Sequence, residues 1–374
     1  MKKNVALALA ISAATLSVQA QSNNLKTTGN WEFYGRAHLS FDKLDDGNKY
    51  DRMNLSSNSS RLGFRGDKSF GDLKGIWQIE SEVRFNQTSG DVAAKNAATG
   101  APEEKTELNK LATRDTFAGI EGGFGQVKVG KFDTPMKVAR SAADLFGDQL
   151  GDMRNITSAG AKFDLRPNNI IQYQTPEMGG LRFALAYVPH SGAVAETNST
   201  TGVETENGLT SMSLSYNEGN LAAALGHEST QKDTKDGKRD ATRLALAYKV
   251  MPDLKLVGFY QNANYITTAS VDEGSKVTGY GAEYQIIPNH TVLRAHVMDR
   301  AANKANADSK MTAIGIDRII SKELRFYANY ATVTNSSGVS VASWNEGRSA
   351  SVTLDSGAKG KKNTGISVGM RYDF

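Results

Sequence analysis

The residue types that most often carry out chemistry are absent from this chain or scattered along it. There is no cysteine, which excludes disulfide bonds, thiolate metal sites and thiol nucleophiles. The five histidines show neither His-x-x-x-His metal spacing nor the Ser-His pattern of a hydrolase; they are His38, His190, His227, His290 and His296. The sequence therefore predicts no catalytic residue, no cofactor and no metal site.

Three aspartates spaced four residues apart form the most regular set of charged side chains. Asp144, Asp148 and Asp152 lie in the long polar stretch 133–160. Four-residue spacing places side chains on one face of a helix, and charged side chains that line a pore set its ion preference. Two interpretations stay open at this point: a functional row of carboxylates, or the solvated face of a short helix.

The N-terminal segment predicts export from the cytoplasm. Residues 1–20 combine a basic start (MKK), an apolar core (VALALAISAATLSV) and small residues for cleavage after Ala20. Removing them takes away Lys2 and Lys3 and no acid, so 44 basic residues become 42 against 40 acidic ones, a net charge of about +2. This near balance gives no support for nucleic-acid binding. After residue 20, no stretch approaches the roughly 18 apolar residues of a membrane helix.

Segments in which apolar and polar residues alternate recur through 21–374, which we treat as one domain. About sixteen such segments occur, for example NWEFYGRAHLSF (30–41), LKGIWQIESEVRF (73–85) and ELRFYANYATV (323–333). A period of two predicts strands with one apolar and one polar face. Their lengths are close to the roughly 9–11 residues of a tilted membrane strand.

The connections between these segments alternate between short and long. Seven short ones are rich in Gly, Pro, Asn and Asp: 66–72, 121–125, 175–180, 217–220, 250–253, 287–290 and 321–323. Eight long polar ones separate them: 42–58, 86–113, 133–160, 190–208, 229–240, 265–275, 301–310 and 334–362. Fifteen connections are what sixteen strands need, and an even strand count leaves both termini on the short-turn side.

Tyrosines and the final strand complete the prediction of a closed barrel. A tyrosine precedes or follows several short turns at a similar height, as expected of a membrane-interface belt: Tyr173, Tyr216, Tyr248, Tyr284 and Tyr372. The chain ends within the alternating strand TGISVGMRYDF. Hydrocarbon offers no partner to backbone N–H and C=O groups, so we expect this strand to pair with the first one and close the sheet. The predicted fold is an all-β, 16-stranded antiparallel transmembrane β-barrel.

The sequence resembles the Gram-negative general porins, which are trimeric 16-stranded outer-membrane channels. Four stretches carry the resemblance, which extends over essentially all of 21–374: FYGRAHLSF (33–41), SRLGFRGDKSFGDLKGIWQIE (60–80), RDTFAGIEGGFGQVKVGKFDTP (114–135) and the terminal GMRYDF. The resemblance implies a homotrimer with periplasmic termini, in contact with outer-membrane lipids and lipopolysaccharide. It also implies that Phe374 is the signal for the barrel-assembly machinery, and that 86–110 is a candidate for the loop that latches onto a neighbour.

The same resemblance implies that the third long loop, 133–160, folds into the lumen and narrows it. Acids on this loop then face bases on the opposite wall. The acids are Asp144, Asp148 and Asp152, and the bases at matching positions are Arg36, Arg61, Lys131 and Arg166. Alternation supports Arg36 and Arg61 as inward residues. It places Lys131 on the outer face with Val127 and Val129, unless a bulge intervenes.

The predicted function is passive diffusion of small hydrophilic solutes and ions, with weak charge selectivity. Four bases against three acids favour anions slightly. Three other functions stay open: a substrate-specific channel, an outer-membrane barrel enzyme, and a structural or adhesive barrel with a plugged lumen. We further expect 133–160 to resist external protease, unlike 334–362.

Overall fold

The structure, a computed structural model, describes 29–85, 114–161, 163–189, 208–230, 238–267, 269–345, 354 and 356–374. The predicted signal sequence 1–20 and the predicted latching loop 86–110 lie outside the described residues. No helix among the described residues is long and apolar enough to cross a membrane.

The described residues form one antiparallel sheet of seventeen strand segments. The segments are β1 (Asn30–Asp45), β2 (Asp51–Ser57), β3 (Arg61–Phe70), β4 (Leu73–Glu82), β5 (Thr116–Gly122), β6 (Gly125–Lys131), β7 (Ile170–Gln174), β8 (Leu181–Val188), β9 (Leu209–Glu218), β10 (Leu221–Thr230), β11 (Lys238–Met251), β12 (Leu254–Ile266), β13 (Ser275–Ile287), β14 (Thr291–Ala302), β15 (Ser309–Ile319), β16 (Leu324–Asn335) and β17 (Lys362–Asp373). Segments that follow each other in the chain pair with each other, except that β2 and β3 both pair with β1, and β17 also pairs with β1.

Segments β2 and β3 are two parts of one barrel strand, because both pair with β1. Between them, the three residues 58–60 lie opposite two residues of β1, which is a β-bulge. The N–H of Asn58 donates to the carbonyl of His38 at 2.7 Å, and the His38 N–H donates to Ser60 Oγ at 2.9 Å. Ser59 has a φ of +60°. Counted in this way, sixteen strands form a closed barrel, as the sequence predicted.

The last strand closes the barrel against the first. Gly35 and Phe374 exchange both backbone hydrogen bonds, with N–O distances of 2.7 and 3.0 Å, and regular pairing continues to Asp45 and Thr364. The Phe374 ring lies 6.1 Å from the ring of Phe33. The C-terminal strand is therefore held along its whole length, which satisfies backbone groups that an open edge would leave exposed.

The two faces of the sheet differ as the alternation predicted. On the outer face, large apolar side chains are exposed, such as Phe41 (65%), Val368 (59%) and Ile314 (52%). On the inner face, neighbouring positions carry buried polar side chains, such as Ser40 and Ser367. An exposed apolar surface this extensive is stable only against hydrocarbon or another apolar surface.

The predicted tyrosines lie on the outer face near short turns. Tyr173, Tyr248, Tyr284 and Tyr372 are 38–52% exposed, and Tyr216 is half-buried. A short connection lies within each of the seven predicted ranges, although the range 66–72 was too long, because β3 continues to Phe70. Contact of these tyrosines with lipid headgroups stays a prediction.

The first long connection is shorter than predicted. The sequence analysis assigned 42–58 to a loop, but β1 continues to Asp45 and β2 begins at Asp51. Only 46–50 turn, and the Asp46 carboxylate accepts the backbone N–H of Tyr50 at 3.0 Å. The prediction was wrong because the polar residues here face water inside the barrel or above the membrane, and both locations are compatible with a strand.

The third long loop, 133–160 and hereafter loop 3, contains two short helices and packs on the inner face of the barrel. The helices are α1 (Pro135–Ala139) and α2 (Arg154–Thr157), with a 3-10 turn at Arg140–Ala142. Loop residues share a buried apolar cluster with inner-face side chains of β11–β16; the loop members are Ala143, Leu145, Phe146, Leu150, Met153 and Ile156. Burying each large side chain contributes about 1.5–3 kcal/mol, which fixes the loop on this wall.

Part of the connection after β16 is buried, which differs from the expectation that 334–362 is accessible. Residues 341–345 are all buried, and Trp344 is 1% exposed. The sequence indicated a polar loop because serine and glycine surround the short apolar motif VASW.

Closure of the barrel can be tested with paired cysteines, because the chain has none of its own. Asp42 and Ser367 are Cα partners across β1 and β17, at a non-hydrogen-bonded position where Cα atoms lie about 4.5 Å apart. We expect Asp42→Cys with Ser367→Cys to oxidise to a disulfide, so that the boiled, unreduced chain migrates faster in an SDS gel.

The control is Asp42→Cys with Asn363→Cys, which is four residues out of register, or about 13 Å. This pair should remain reduced. Equal cross-linking of both pairs, or of neither, would contradict the pairing of β1 with β17.

Candidate functional site

A pair of arginines lies on the inner face where β1 meets β3. Arg36 and Arg61 are direct cross-strand partners, and their side chains are 16% and 18% exposed. Arg36 Nε lies 2.5 Å from an oxygen of Asp373, and Arg61 Nε lies 3.6 Å from Glu80. Like charges directly opposite each other destabilise a sheet, so this pair is costly for the fold and is a candidate for function.

Three further inner arginines extend this basic wall, and the sequence analysis did not single them out. Arg371 of β17 lies opposite Arg325 of β16 and shares Asp373 with Arg36, at 2.7 Å. Arg114, just before β5, lies 2.6 Å from Glu80. Alternation in GMRYDF was sufficient to find Arg371, because it lies between the outward Met370 and Tyr372.

This basic wall has fewer carboxylates than guanidinium groups. Asp373 forms ion pairs with both Arg36 and Arg371, and Glu80 forms ion pairs with both Arg61 and Arg114. With Arg325 included, two acids thus face five guanidinium groups, which leaves an excess of three positive charges.

Asp148 is the acid of loop 3 that reaches this wall. Its backbone has a φ of +62°, so it lies at a sharp turn rather than on a helix face. The Ser59 hydroxyl, in the bulge of the wall, donates to Asp148 Oδ1 at 3.1 Å. Arg154 also donates to Asp148, at 2.6 Å. Burial alone would lower the pKa of Arg114, but Glu80, with a further contribution from Asp148, raises it.

Asp152 has a structural position inside loop 3. It is fully buried and accepts hydrogen bonds from the Arg154 side chain and from the backbone N–H of Asp148 at 2.8 Å. Asn345 also donates to it, at 3.2 Å. Burial alone would lower the pKa of Arg154, but Asp152 and Asp148 raise it. The structure does not bring Asp152 to the arginine pair.

Asp144 lies at the buried end of the same turn and binds Arg140 at 3.2 Å. Burial, together with the negative charges of Asp152 and Asp148, raises the pKa of Asp144 to about 6, although Arg140 and Arg154 oppose the shift. The three predicted aspartates therefore do not share one helix face. They lie in one segment of loop 3, 144–152, and each has a different environment.

Lys131 and Arg166 have surroundings that differ from those of the arginine pair. The register of β6 is unbroken through Lys131, which pairs with Thr116, so alternation places its side chain on the outer face with Val129. Arg166 lies 2.5 Å from Asp115 and 2.8 Å from Asp133, where it ties the end of loop 3 to the start of β5.

Inner-face side chains also bind the backbone of loop 3 directly. Arg243, fully buried on β11, donates to the carbonyl of Met136 at 2.9 Å and to Asp164 at 2.7 Å. Arg294 on β14 donates to the carbonyl of Leu145 and to Gln149. These contacts attach loop 3 to side chains of the inner face.

The comparisons with known proteins agree with this geometry. A family model described as Gram-negative porin matches residues 6–338. The chain belongs to this family. Outer membrane porin protein 32 of Delftia acidovorans is 25% identical to this porin over 387 aligned positions, which cover all of both chains.

Two solved structures share the fold of this porin. The anion-selective porin from Comamonas acidovorans has a TM-score of 0.71 at 21% identity, over 92% of this chain and all of that one. OmpT of Vibrio cholerae, in its trimer form, has a TM-score of 0.62 at 18% identity, over 92% and 99% of the two chains.

Family membership establishes the general function. This porin is a channel of the Gram-negative outer membrane, through which small hydrophilic solutes diffuse passively. It is not an enzyme. The barrel enzyme that the sequence left open is thereby excluded.

Protonation of Asp144 should make ion selectivity depend on pH. Because the pKa of Asp144 is raised to about 6, the carboxyl is charged at pH 7.5 and neutral at pH 5, while the arginines stay charged. We expect the reversal potential in a KCl gradient to move toward the anion value as pH falls, with a midpoint near 6.

Asp144→Asn serves as the matched control, because it has nearly the same shape and does not titrate. At pH 7.5 it should show the reversal potential that the wild type has at pH 5. A full pH response that persists in Asp144→Asn would assign the titration to another group.

Proposed function

We propose that loop 3 lies across the lumen and forms the constriction of the channel, bounded by Asp148 on one side and by Arg36 and Arg61 on the other. The observation that carries this proposal is the 3.1 Å hydrogen bond between Ser59 and Asp148. Ser59 belongs to the wall two residues before Arg61, whereas Asp148 belongs to a loop anchored on β11–β16. A contact between them supports a loop that extends from the β11–β16 wall toward the basic wall.

The constriction has a transverse electric field, because fixed positive and negative charges line its opposite sides. Polar solutes can align their dipoles with this field as they pass. Apolar solutes lose contacts with water and gain no compensating interaction. Charged side chains at such close range also determine which ion passes more readily.

The balance of charge favours anions. The wall carries an excess of positive charge, whereas Arg154 partly neutralises Asp148 and Asp152. The porin from Comamonas acidovorans, which has the same fold, is described as anion-selective. We therefore propose a moderate preference for anions, with no single solute specified.

A homotrimer accounts for the unequal height of the barrel wall. Strands β5, β6 and β7 have 7, 7 and 5 residues, fewer than the roughly 9–11 that cross the hydrocarbon layer. We call strands β5–β7 the low wall. Near its long-loop end, Lys131, Asn168 and Asn169 line one surface groove. Polar groups at membrane depth are costly against lipid, so this wall is proposed to face neighbouring subunits.

The outer surface suggests two further partners. Lys276, Lys310 and Lys362 lie on the outer face near the long-loop end, where their charges suit lipopolysaccharide phosphates. Phe374 is 47% exposed and is available to the barrel-assembly machinery. With the turns on the same side as Phe374, both termini are proposed to be periplasmic.

The constriction is tested by reversing the charge of Asp148. In planar bilayers the wild type should form steady open pores with conductance on the order of a nanosiemens. Asp148→Arg should shift the reversal potential strongly toward the anion value, and Asp148→Asn should shift it by a smaller amount, because cations lose their attractive site.

The matched control is Asp299→Arg, because Asp299 is exposed on the outer face of β14. This variant should have the same reversal potential as the wild type. If Asp148→Arg also leaves it unchanged, loop 3 lies away from the ion path and the proposed constriction is wrong.

The low wall yields a separate prediction about assembly. Lys131→Glu should lower the temperature at which oligomers dissociate in SDS gels, because it places an unpaired acid in the proposed interface. Lys276→Glu, on the outer face of the 13-residue strand β13, should leave that temperature unchanged. Equal effects of the two variants would argue against a subunit interface at β5–β7.

A further inference from the structure

Residues 336–345, in the connection between β16 and β17, fold back toward the inner face of the barrel and contact loop 3. This segment ends in five consecutive buried residues. The Trp344 side chain is 1% exposed and belongs to the apolar cluster that contains Leu150, Met153 and Ile156 of loop 3. Segment 336–345 thus packs in the same apolar cluster as loop 3 and the inner face of β11–β16.

Two inner-face asparagines attach this segment to the barrel wall. Asn335, at the end of β16, accepts the N–H of Val341 at 3.0 Å and donates to its carbonyl at 3.1 Å. Asn363, at the start of β17, donates to the same carbonyl and accepts the N–H of Ser343 at 2.8 Å. Side-chain amides here replace the partners that a neighbouring strand would supply to the backbone.

Three hydrogen bonds then attach the segment to loop 3. The N–H of Gly151 donates to the carbonyl of Ser343 at 2.8 Å. The Asn155 side chain donates to the carbonyl of Trp344 at 2.9 Å, and Asn345 donates to Asp152 at 3.2 Å. Two of these contacts lie within four residues of Asp148, the proposed constriction acid.

We propose that segment 336–345 is a bracket that sets the position of the constriction, and that Trp344, Asn335 and Asn363 are positioning residues for permeation. This inference rests on the proposed constriction at loop 3. The contacts above join Asn335 and Asn363 to segment 336–345 and place Trp344 in the apolar cluster with loop 3, so we expect an effect on permeation to pass through the position of the loop.

The bracket adds to attachments that already hold the tip of loop 3 against the barrel wall. Gln149 accepts hydrogen bonds from Arg294 at 2.9 Å and from Asn329 at 2.8 Å, and the Ser59 hydroxyl donates to Asp148 at 3.1 Å. The Gly151–Ser343 and Asp152–Asn345 contacts support the next two residues of the loop from segment 336–345.

Single-channel recording of Trp344 variants tests the bracket. Trp344→Ala removes the ring that packs against loop 3. We expect frequent brief closures and a reversal potential that differs from that of the wild type. Trp344→Phe keeps a ring in the same cluster and should restore quiet channels with nearly wild-type selectivity. Retention of the folded, heat-resistant band in SDS gels shows that the barrel itself is intact.

A cysteine-accessibility measurement reports the position of the loop without relying on conductance. Ala143 of loop 3 is 3% exposed, so Ala143→Cys should react slowly with a charged thiol reagent in otherwise wild-type porin. Adding Asn363→Ala or Asn335→Ala should speed the reaction at least tenfold. Asn264→Ala, which removes an amide that binds Asp240 on the outer face, is the matched control and should have no effect.

The outcomes separate the bracket from the proposed function. If wild-type porin forms open channels and Trp344→Ala has wild-type selectivity, noise and thiol reactivity, the bracket is wrong and the constriction stands. If Asp148→Arg leaves selectivity unchanged, the constriction itself fails. If Trp344→Ala does not fold, the asparagine variants with Ala143→Cys decide the question, since unchanged reactivity there overturns the bracket.

Discussion

The pairing of every backbone N–H and C=O within the sheet is the constraint from which the rest of this structure follows. Hydrocarbon cannot replace a missing hydrogen-bond partner, so a sheet that crosses the membrane has to close on itself. Here closure depends on the antiparallel pairing of β17 with β1, down to the reciprocal bonds of Gly35 and Phe374. Closure also divides all side chains into two classes, one facing outward and one facing inward, through strict alternation.

This division explains why the fold could be predicted from the sequence. Half of each strand must be apolar for lipid, and the other half must tolerate water, so the period of two is present throughout. Strand number and all seven short turns follow from that pattern. The loop boundary at 42–58 could not be predicted, because a strand that extends into water on both faces loses the apolar half of its pattern.

The site was predictable to a lesser degree. Alternation determines whether a side chain points inward or outward, but it does not determine which residue that side chain binds. It correctly indicated that Arg36 and Arg61 face inward, and it also indicated an outward Lys131, against the family resemblance. Nothing in the spacing of Asp152 shows that Arg154, two residues later, would bind it inside the loop. The burial of residues 341–345 in the bracket could not be predicted, because a short apolar motif flanked by serine and glycine has no periodicity.

The inner wall itself explains why the channel is asymmetric. From β11 to β16, many inner positions are small or apolar, such as Ala245, Ala313 and Val333, and they form a dry surface that loop 3 can cover. From β17 through β1 to β3, the inner positions are charged, such as Arg371, Arg36 and Arg61, and an apolar loop cannot cover these without desolvating them. Apart from the contact of Asp148 with Ser59, loop 3 therefore binds mainly the β11–β16 half of the barrel. In the proposed channel, ions pass along the charged half, where an apolar core could not form.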